Sequence, residues 1–272
     1  MRTTPLASLF LLAACSDPAP ARDDAGTDAS QLDASALADA SAPDSTTGAP
    51  RSGLVSLTHT NLGSHVLFGY FGPGTIEDLR AGLLFAECTI DDERGDCIAL
   101  TCPGGSETAT HDAGALSASI DGVELLVAGE PGASGIYSAL GTGAAFEAGD
   151  VVRFAATGAD VPAFSADVIA PSAPAITLPT TISRDAPLTL TWGATTAESV
   201  QVGLVGAGTG VRCIVPAARG SVTVDPALLA SEALGSNTLL NVTAFTTTEV
   251  VAGDYALDVS VSDGVSAPVT LE

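Results

Sequence analysis

Lysine is absent. All nine basic residues are arginine, set against 32 Asp and Glu, and the formal net charge is −23. Nucleic acid and bare anionic membrane surfaces reward clusters of Lys and Arg, so the lack of such clusters argues against both as partners. Aromatic residues make up 4% of the chain, with one Trp, three Tyr and eight Phe, against 29 Gly and 16 Pro. That balance suits many short strands joined by turns better than a helical bundle. There are three histidines, His59, His65 and His111, and neither a G-x-S-x-G elbow nor an H-E-x-x-H pair occurs. Active sites usually draw on His, Cys, Lys or paired acids held at matched pKa. The sequence is therefore read as a non-enzymatic protein with no cofactor.

The N-terminus does carry a signal. Arg2 precedes a short apolar run (Leu6, Leu9, Phe10, Leu11) far too short to span a bilayer, which marks a signal peptide over residues 1–14. Leu12-Ala13-Ala14-Cys15 closes it and resembles the bacterial lipoprotein box. That resemblance implies that Cys15 becomes the mature N-terminus and carries two or three acyl chains. Each buried methylene contributes about 0.8 kcal/mol, so two chains hold a protein on a membrane where one does not. Ser16, not Asp, follows the cysteine, and by resemblance to enterobacterial sorting this implies the outer membrane, periplasmic or surface-facing.

Residues 16–50 hold seven Asp against one Arg, with Leu32 and Leu37 as the large apolar side chains. Such a segment buries too little surface to offset its ordering entropy and is expected to be a disordered spacer, spanning on the order of 30 Å as an ideal coil. From Arg51 the pattern changes to short apolar runs between Gly, Pro and Asp. Strands are predicted over 55–57, 65–71, 82–89, 97–102, 115–120, 123–127, 151–155 and 163–169, with one helical turn over 75–81. Ala170-Pro171-Ser172-Ala173-Pro174 breaks both helix and central strand, which places a domain boundary at residues 171/172.

Beyond it the alternation is clean. Leu188, Leu190 and Trp192 share one strand face, as do Val200, Val202 and Leu204, and Tyr255, Leu257, Val259 and Val261. Asp225-Pro226 supplies an N-cap followed by proline at N1, so a short helix is expected over 227–231. Gly253-Asp254-Tyr255 entering a late strand resembles Ig-like and polycystic-kidney-type repeats, in which a tyrosine ties a corner. The fold expected is all-β: a β-rich domain over 51–171 and an Ig-like sandwich over 172–272.

Four cysteines remain beyond Cys15: Cys88, Cys97, Cys102 and Cys213. An exported protein meets an oxidising compartment, so disulfides are the default. Cys88 ends one predicted strand and Cys97 begins the next, so a hairpin joining them would pair Cys88 with Cys97 and leave Cys102 for Cys213. The C-x8-C-x4-C spacing does not fit zinc. Asp91, Asp92, Glu93 and Asp96 crowd the same hairpin tip and are weak Ca²⁺ candidates, without EF-hand spacing. His59 and His65 on one straight strand would stand roughly 20 Å apart, too far to share a metal. Residues 200–211 imitate a Rossmann glycine turn, but Val211 stands where the third glycine belongs, and the segment is read as a glycine-rich hairpin.

The layout of lipobox, acidic spacer, and β domains with a Gly-Asp-Cys-x4-Cys segment and a late Arg212-Cys213 pair resembles the surface lipoproteins common in myxobacteria. The resemblance implies no activity that transfers residue by residue. The function expected is a lipoprotein held on the membrane by its N-terminal anchor, displaying β-sandwich domains that bind an envelope protein or glycan or serve a structural role. The alternatives are an envelope hydrolase with a loop-end site, needing a histidine in reach of both a Ser and a carboxylate, and a calcium-dependent adhesin.

Overall fold

The strict alternation of large apolar and small polar residues near the C-terminus produces the longest element of the fold. The computed structural model describes residues 50–272 except 62, 81–87, 103–109, 133–134, 144, 207, 231–233 and 236. The expected signal peptide, Cys15 and the spacer lie outside the described residues, as does most of the strand expected over 82–89.

Among the described residues the chain runs through β1 (Arg51–Thr60), β2 (Ser64–Pro73), α1 (Ile76–Arg80), β3 (Thr89–Arg94), β4 (Cys97–Thr101), β5 (Leu116–Ile120), β6 (Val123–Ala128) and β7 (Tyr137–Thr142). Next come β8 (Val151–Ala156), β9 (Phe164–Ile169), β10 (Thr181–Ile182), β11 (Leu188–Thr191), β12 (Ser199–Val205) and β13 (Thr209–Pro216). A 3-10 turn (Ala217–Arg219), β14 (Ser221–Val224), α2 (Pro226–Leu229), β15 (Asn237–Ala252) and β16 (Tyr255–Leu271) complete it. The fold is all-β, as its composition predicts. Asp225 caps α2 as expected, its side chain accepting from the Ala227 amide, with Pro226 in the first turn.

β15 and β16 form one antiparallel hairpin of unbroken register, from Ala252↔Tyr255 at the turn to Asn237↔Thr270. At the usual rise the 17 residues of β16 extend about 55 Å. The hairpin lies at the centre of a ten-stranded sheet ordered β3-β4-β13-β12-β15-β16-β1-β2-β7, with β10 also paired to β16. β1 runs parallel to β16, so the first and last long strands are neighbours.

One face of this sheet is buried twice over. Leu257, Val259 and Val261 of β16 pack with Val55, Leu57, Leu67 and Phe71 against Leu116, Val152, Phe154 and Val168 of the four-stranded sheet β6-β5-β8-β9. Farther along the same face, Val269 and Leu271 join Val200, Val202, Leu204, Leu240 and Val242. Trp192, Val222 and Val224, from the two-stranded β11-β14 pair and its flank, and Leu228 and Leu229 of α2, cover this second core. Each fully buried aliphatic or aromatic side chain contributes about 1.5–3 kcal/mol, so both cores hold the large sheet from one side.

Residues 171/172 mark a boundary in sequence but not in space. Strands from both sides of it enter the ten-stranded sheet, and residues 49–272 cluster as one unit. The reason is length: β16 runs through both cores, so neither is closed without it. The tyrosine corner also differs from the Ig pattern, which returns the hydroxyl to backbone a few residues upstream. The Tyr255 hydroxyl instead meets His111 Nδ1 at 2.5 Å, 144 residues away, while Arg51 lies over its ring.

The disulfides correct the expected pairing. Cys88 bonds Cys102, and Cys97 bonds Cys213. The hairpin is tighter than the sequence suggested: β3 already begins at Thr89, and a turn at Gly95-Asp96 sets Arg94 opposite Cys97 and Thr89 opposite Thr101. Cys88 and Cys102 therefore meet at the open end. Cys97 is the register partner of Cys213 on β13, and their side chains meet inside the second core.

Candidate binding groove

The opposite face of the large sheet carries no covering sheet among the described residues. Period-two alternation that buries the odd-numbered residues of β16 turns Asp258, Ser260 and Ser262 to this side, with Ser56 and Thr58 from β1 and Thr243, Phe245 and Thr247 from β15. Ser199 and Gln201 of β12 and Arg212 and Ile214 of β13 extend the same surface. Together they line a groove of about 580 Å³ crossing five adjacent strands, β1, β16, β15, β12 and β13. Five strands at the usual spacing make it about 20 Å across. Leu79 of α1, 1% exposed, lines one end with Leu54.

A second hollow of about 280 Å³ adjoins it over Gly203, Val205, Gly210, Leu100 and Asn241, and Gln201 and Arg212 line both. Gly203 stands between Arg212 and Asn241 in register and offers no side chain, so the sheet surface dips where the two hollows meet. The hairpin turn of β12–β13 is glycine-rich for steric reasons. A Cβ on Gly206 would fall 2.7 Å from the Leu234 carbonyl oxygen, and Gly208 takes a left-handed φ of +77°. The glycine-rich hairpin read from residues 200–211 is formed, and its strands are antiparallel.

Arg212 is half-buried, and burial alone pulls its pKa down. Its guanidinium makes no hydrogen bond or ion pair with any described residue. The other arginines with described side chains are engaged: Arg51 over the Tyr255 ring, Arg94 with Asp92, Arg153 with Asp167, Arg184 with the carbonyls of Leu229 and Gly235, and Arg219 with Asp96. Two groove carboxylates stand apart from Arg212. Glu198, just before β12, lies five residues and about 16 Å of backbone from Gly203, the register partner of Arg212, and its Oε2 accepts from the Thr247 amide. Asp258 lies on β16 opposite Leu54 and Glu249, eight residues from Ser266, the partner of Asn241. Sequence reasoning noted Arg212 only for its neighbouring cysteine; the available signal was an arginine alternating with Val211, Cys213 and Val215 on an otherwise apolar strand.

The expected metal candidates disperse. Asp91 accepts from the hydroxyls of Thr89 and Thr101, Asp92 pairs with Arg94 at 3.0 Å, and Asp96 pairs with Arg219. Glu93 alternates with Asp92 along β3, and no cluster of three or more metal-ligating side chains exists among the described residues. His59 and His65 are not on one strand. They face each other across the β1–β2 hairpin, which removes the 20 Å separation expected for them. His59 Nδ1 lies 3.1 Å from Asp263 Oδ1, while His65, 6% exposed, meets the Gly143 carbonyl through Nδ1 at 3.3 Å. None of the hydrogen bonds among described residues joins a histidine to both a serine and a carboxylate. A separate polar corner at Asp112 accepts from the Tyr137 hydroxyl at 2.6 Å and the Gly114 amide at 2.7 Å, and these bonds, Tyr137 first, hold its carboxyl below the usual range. Burial, and then the hydrogen bond to Asp112, drives the Tyr137 phenol upward. No protein-family model matches the chain, and a search of curated proteins finds none similar to it.

Proposed function

We propose that the protein is an exported, lipid-anchored display protein whose folded part binds an envelope glycan through the face of its ten-stranded sheet that no described sheet covers. One observation carries this reading. The sheet buries one face under two smaller sheets and leaves on the other a hydroxyl-lined groove of about 580 Å³, within the range of small-ligand sites. Seven Ser and Thr hydroxyls, Gln201 and one aromatic ring, Phe245, suit a hydroxyl-rich ligand. The described side chains of the groove offer no histidine or free thiol, which favours binding over turnover. The lipobox and the acidic spacer support display away from a lipid surface.

Two substitutions test the proposal. Ser260→Trp fills the groove from an outward position; it should abolish binding of the full-length chain to purified cell-wall and capsular glycans of the producing cell while leaving Tm unchanged. Equal binding by both forms overturns the groove. Cys15→Ser should release the protein from membranes, and unchanged retention overturns the anchor.

A further inference from the structure

We infer that the groove recognises an acidic glycan, with a single sugar carboxylate held by Arg212 where the two hollows meet. The inference rests on the proposed glycan-binding function and names the substrate class of that site.

The argument begins with an uncompensated cation. A guanidinium withdrawn from water loses hydration that an ion pair or hydrogen bonds normally replace. The Arg212 guanidinium is half-buried and has no such partner among the described residues, whereas Arg94, Arg153, Arg184 and Arg219 each have one and Arg51 lies over the Tyr255 ring. Guanidinium stays charged under all ordinary conditions, so deprotonation does not relieve it. A ligand carboxylate would, through the bidentate geometry that planar guanidinium offers. The nearer carboxylate lining the groove, Glu198, stands about 16 Å from Gly203 at the backbone, and Glu93, two strands from Arg212 in register through Ile98, makes no ion pair with it, so the Arg212 end is the one suited to an anion.

The charge of the ligand is bounded as well. One arginine, with no second cation among the described side chains that line either hollow, matches a monoanionic carboxylate better than a doubly charged phosphate. A chain of net charge −23 repels polyanions at long range, which favours a glycan carrying isolated acids among neutral sugars.

Strand addition by a peptide is closed to this surface. β12, β15 and β16 are hydrogen-bonded to neighbours on both sides, as are β1 and β13, so their backbone groups are occupied. What remains is short hydroxyl and amide side chains from Ser56, Ser260, Thr243, Gln201 and Asn241, with the Phe245 ring among them. Donors and acceptors spaced over a sheet face beside an aromatic ring fit sugar hydroxyls and a sugar's apolar face.

The test uses the full-length chain and isothermal titration with trisaccharides that each carry one hexuronate, beside the same sugars with the carboxyl reduced to the alcohol. Wild type should bind an acidic form at least tenfold more tightly than its reduced form. Arg212→Gln should erase that preference without lowering Tm, because it removes an unpaired, half-buried charge, and Arg212→Lys should restore part of it. Equal affinity of wild type for both forms overturns the inference. If Ser260→Trp abolishes binding while Arg212→Gln leaves it intact, the groove stands and the carboxylate assignment falls. If neither substitution alters binding, the groove reading itself falls. Preference for an acidic hexapeptide of alternating Glu and Ser, or no uronate binding at millimolar concentration, overturns the glycan class.

Discussion

The two disulfides close loops of very different size, 14 and 116 residues in sequence separation, and their removal should differ accordingly. Loop-closure entropy puts the Cys88–Cys102 bond at about 3 kcal/mol and the Cys97–Cys213 bond at about 5 kcal/mol. Packing widens the gap in the same direction. Cys97 and Cys213 are each 1% exposed and belong to the second core, whereas Cys88 and Cys102 are half-buried. The long-range bond also staples β4 to β13, the strand that carries Arg212. Replacing Cys97 and Cys213 by Ala should therefore lower the unfolding free energy by about 2 kcal/mol more than replacing Cys88 and Cys102. Urea unfolding followed by fluorescence and circular dichroism measures this, with slope and midpoint fitted separately because the cross-link constrains the unfolded chain. A short-loop double variant as unstable as the long-loop one refutes the reasoning, and non-reducing peptide mapping that joins Cys88 to Cys97 refutes the pairing beneath it.

Acid should act partly through Asp112, whose folded pKa lies below its unfolded value because it accepts from Tyr137 and Gly114. A depressed carboxyl contributes stability above its unfolded pKa, about 4, and that contribution is lost as pH falls through the lowered folded value. Asp112→Asn keeps an accepting oxygen without the charge, so its Tm should fall less steeply than wild type below about pH 4, and calorimetric scans with equal slopes contradict this. Gly53→Ala should destabilise by about 1–3 kcal/mol through overpacking, since its Cβ would stand 2.5 Å from Phe71 Cδ1 and 2.8 Å from Leu257 Cδ2. A denaturation midpoint unchanged by that substitution shows that the Phe71 and Leu257 side chains repack freely.

What was legible in the sequence was what local chemistry decides. Alternation at Val200, Val202 and Leu204, and at Leu257, Val259 and Val261, set strand type and buried face, because side chains in a strand alternate sides whatever the partner. Asp225-Pro226 set a helix start, and the glycines at 206 and 208 set a hairpin turn, for equally local reasons. Partnership was decided only by the tertiary structure. Residues 51 and 255 are far apart in sequence, yet the pairing of β1 with β16 runs through them, and no local pattern states which strand edge accepts which. The same holds for Cys97, which bonds Cys213 instead of Cys88 because a two-residue turn shifts the hairpin register. Arg212 is the sharpest instance. An outward arginine on a strand reads as solvated, and its half-burial depends on β4 and β12, which only the assembled sheet places on either side of it.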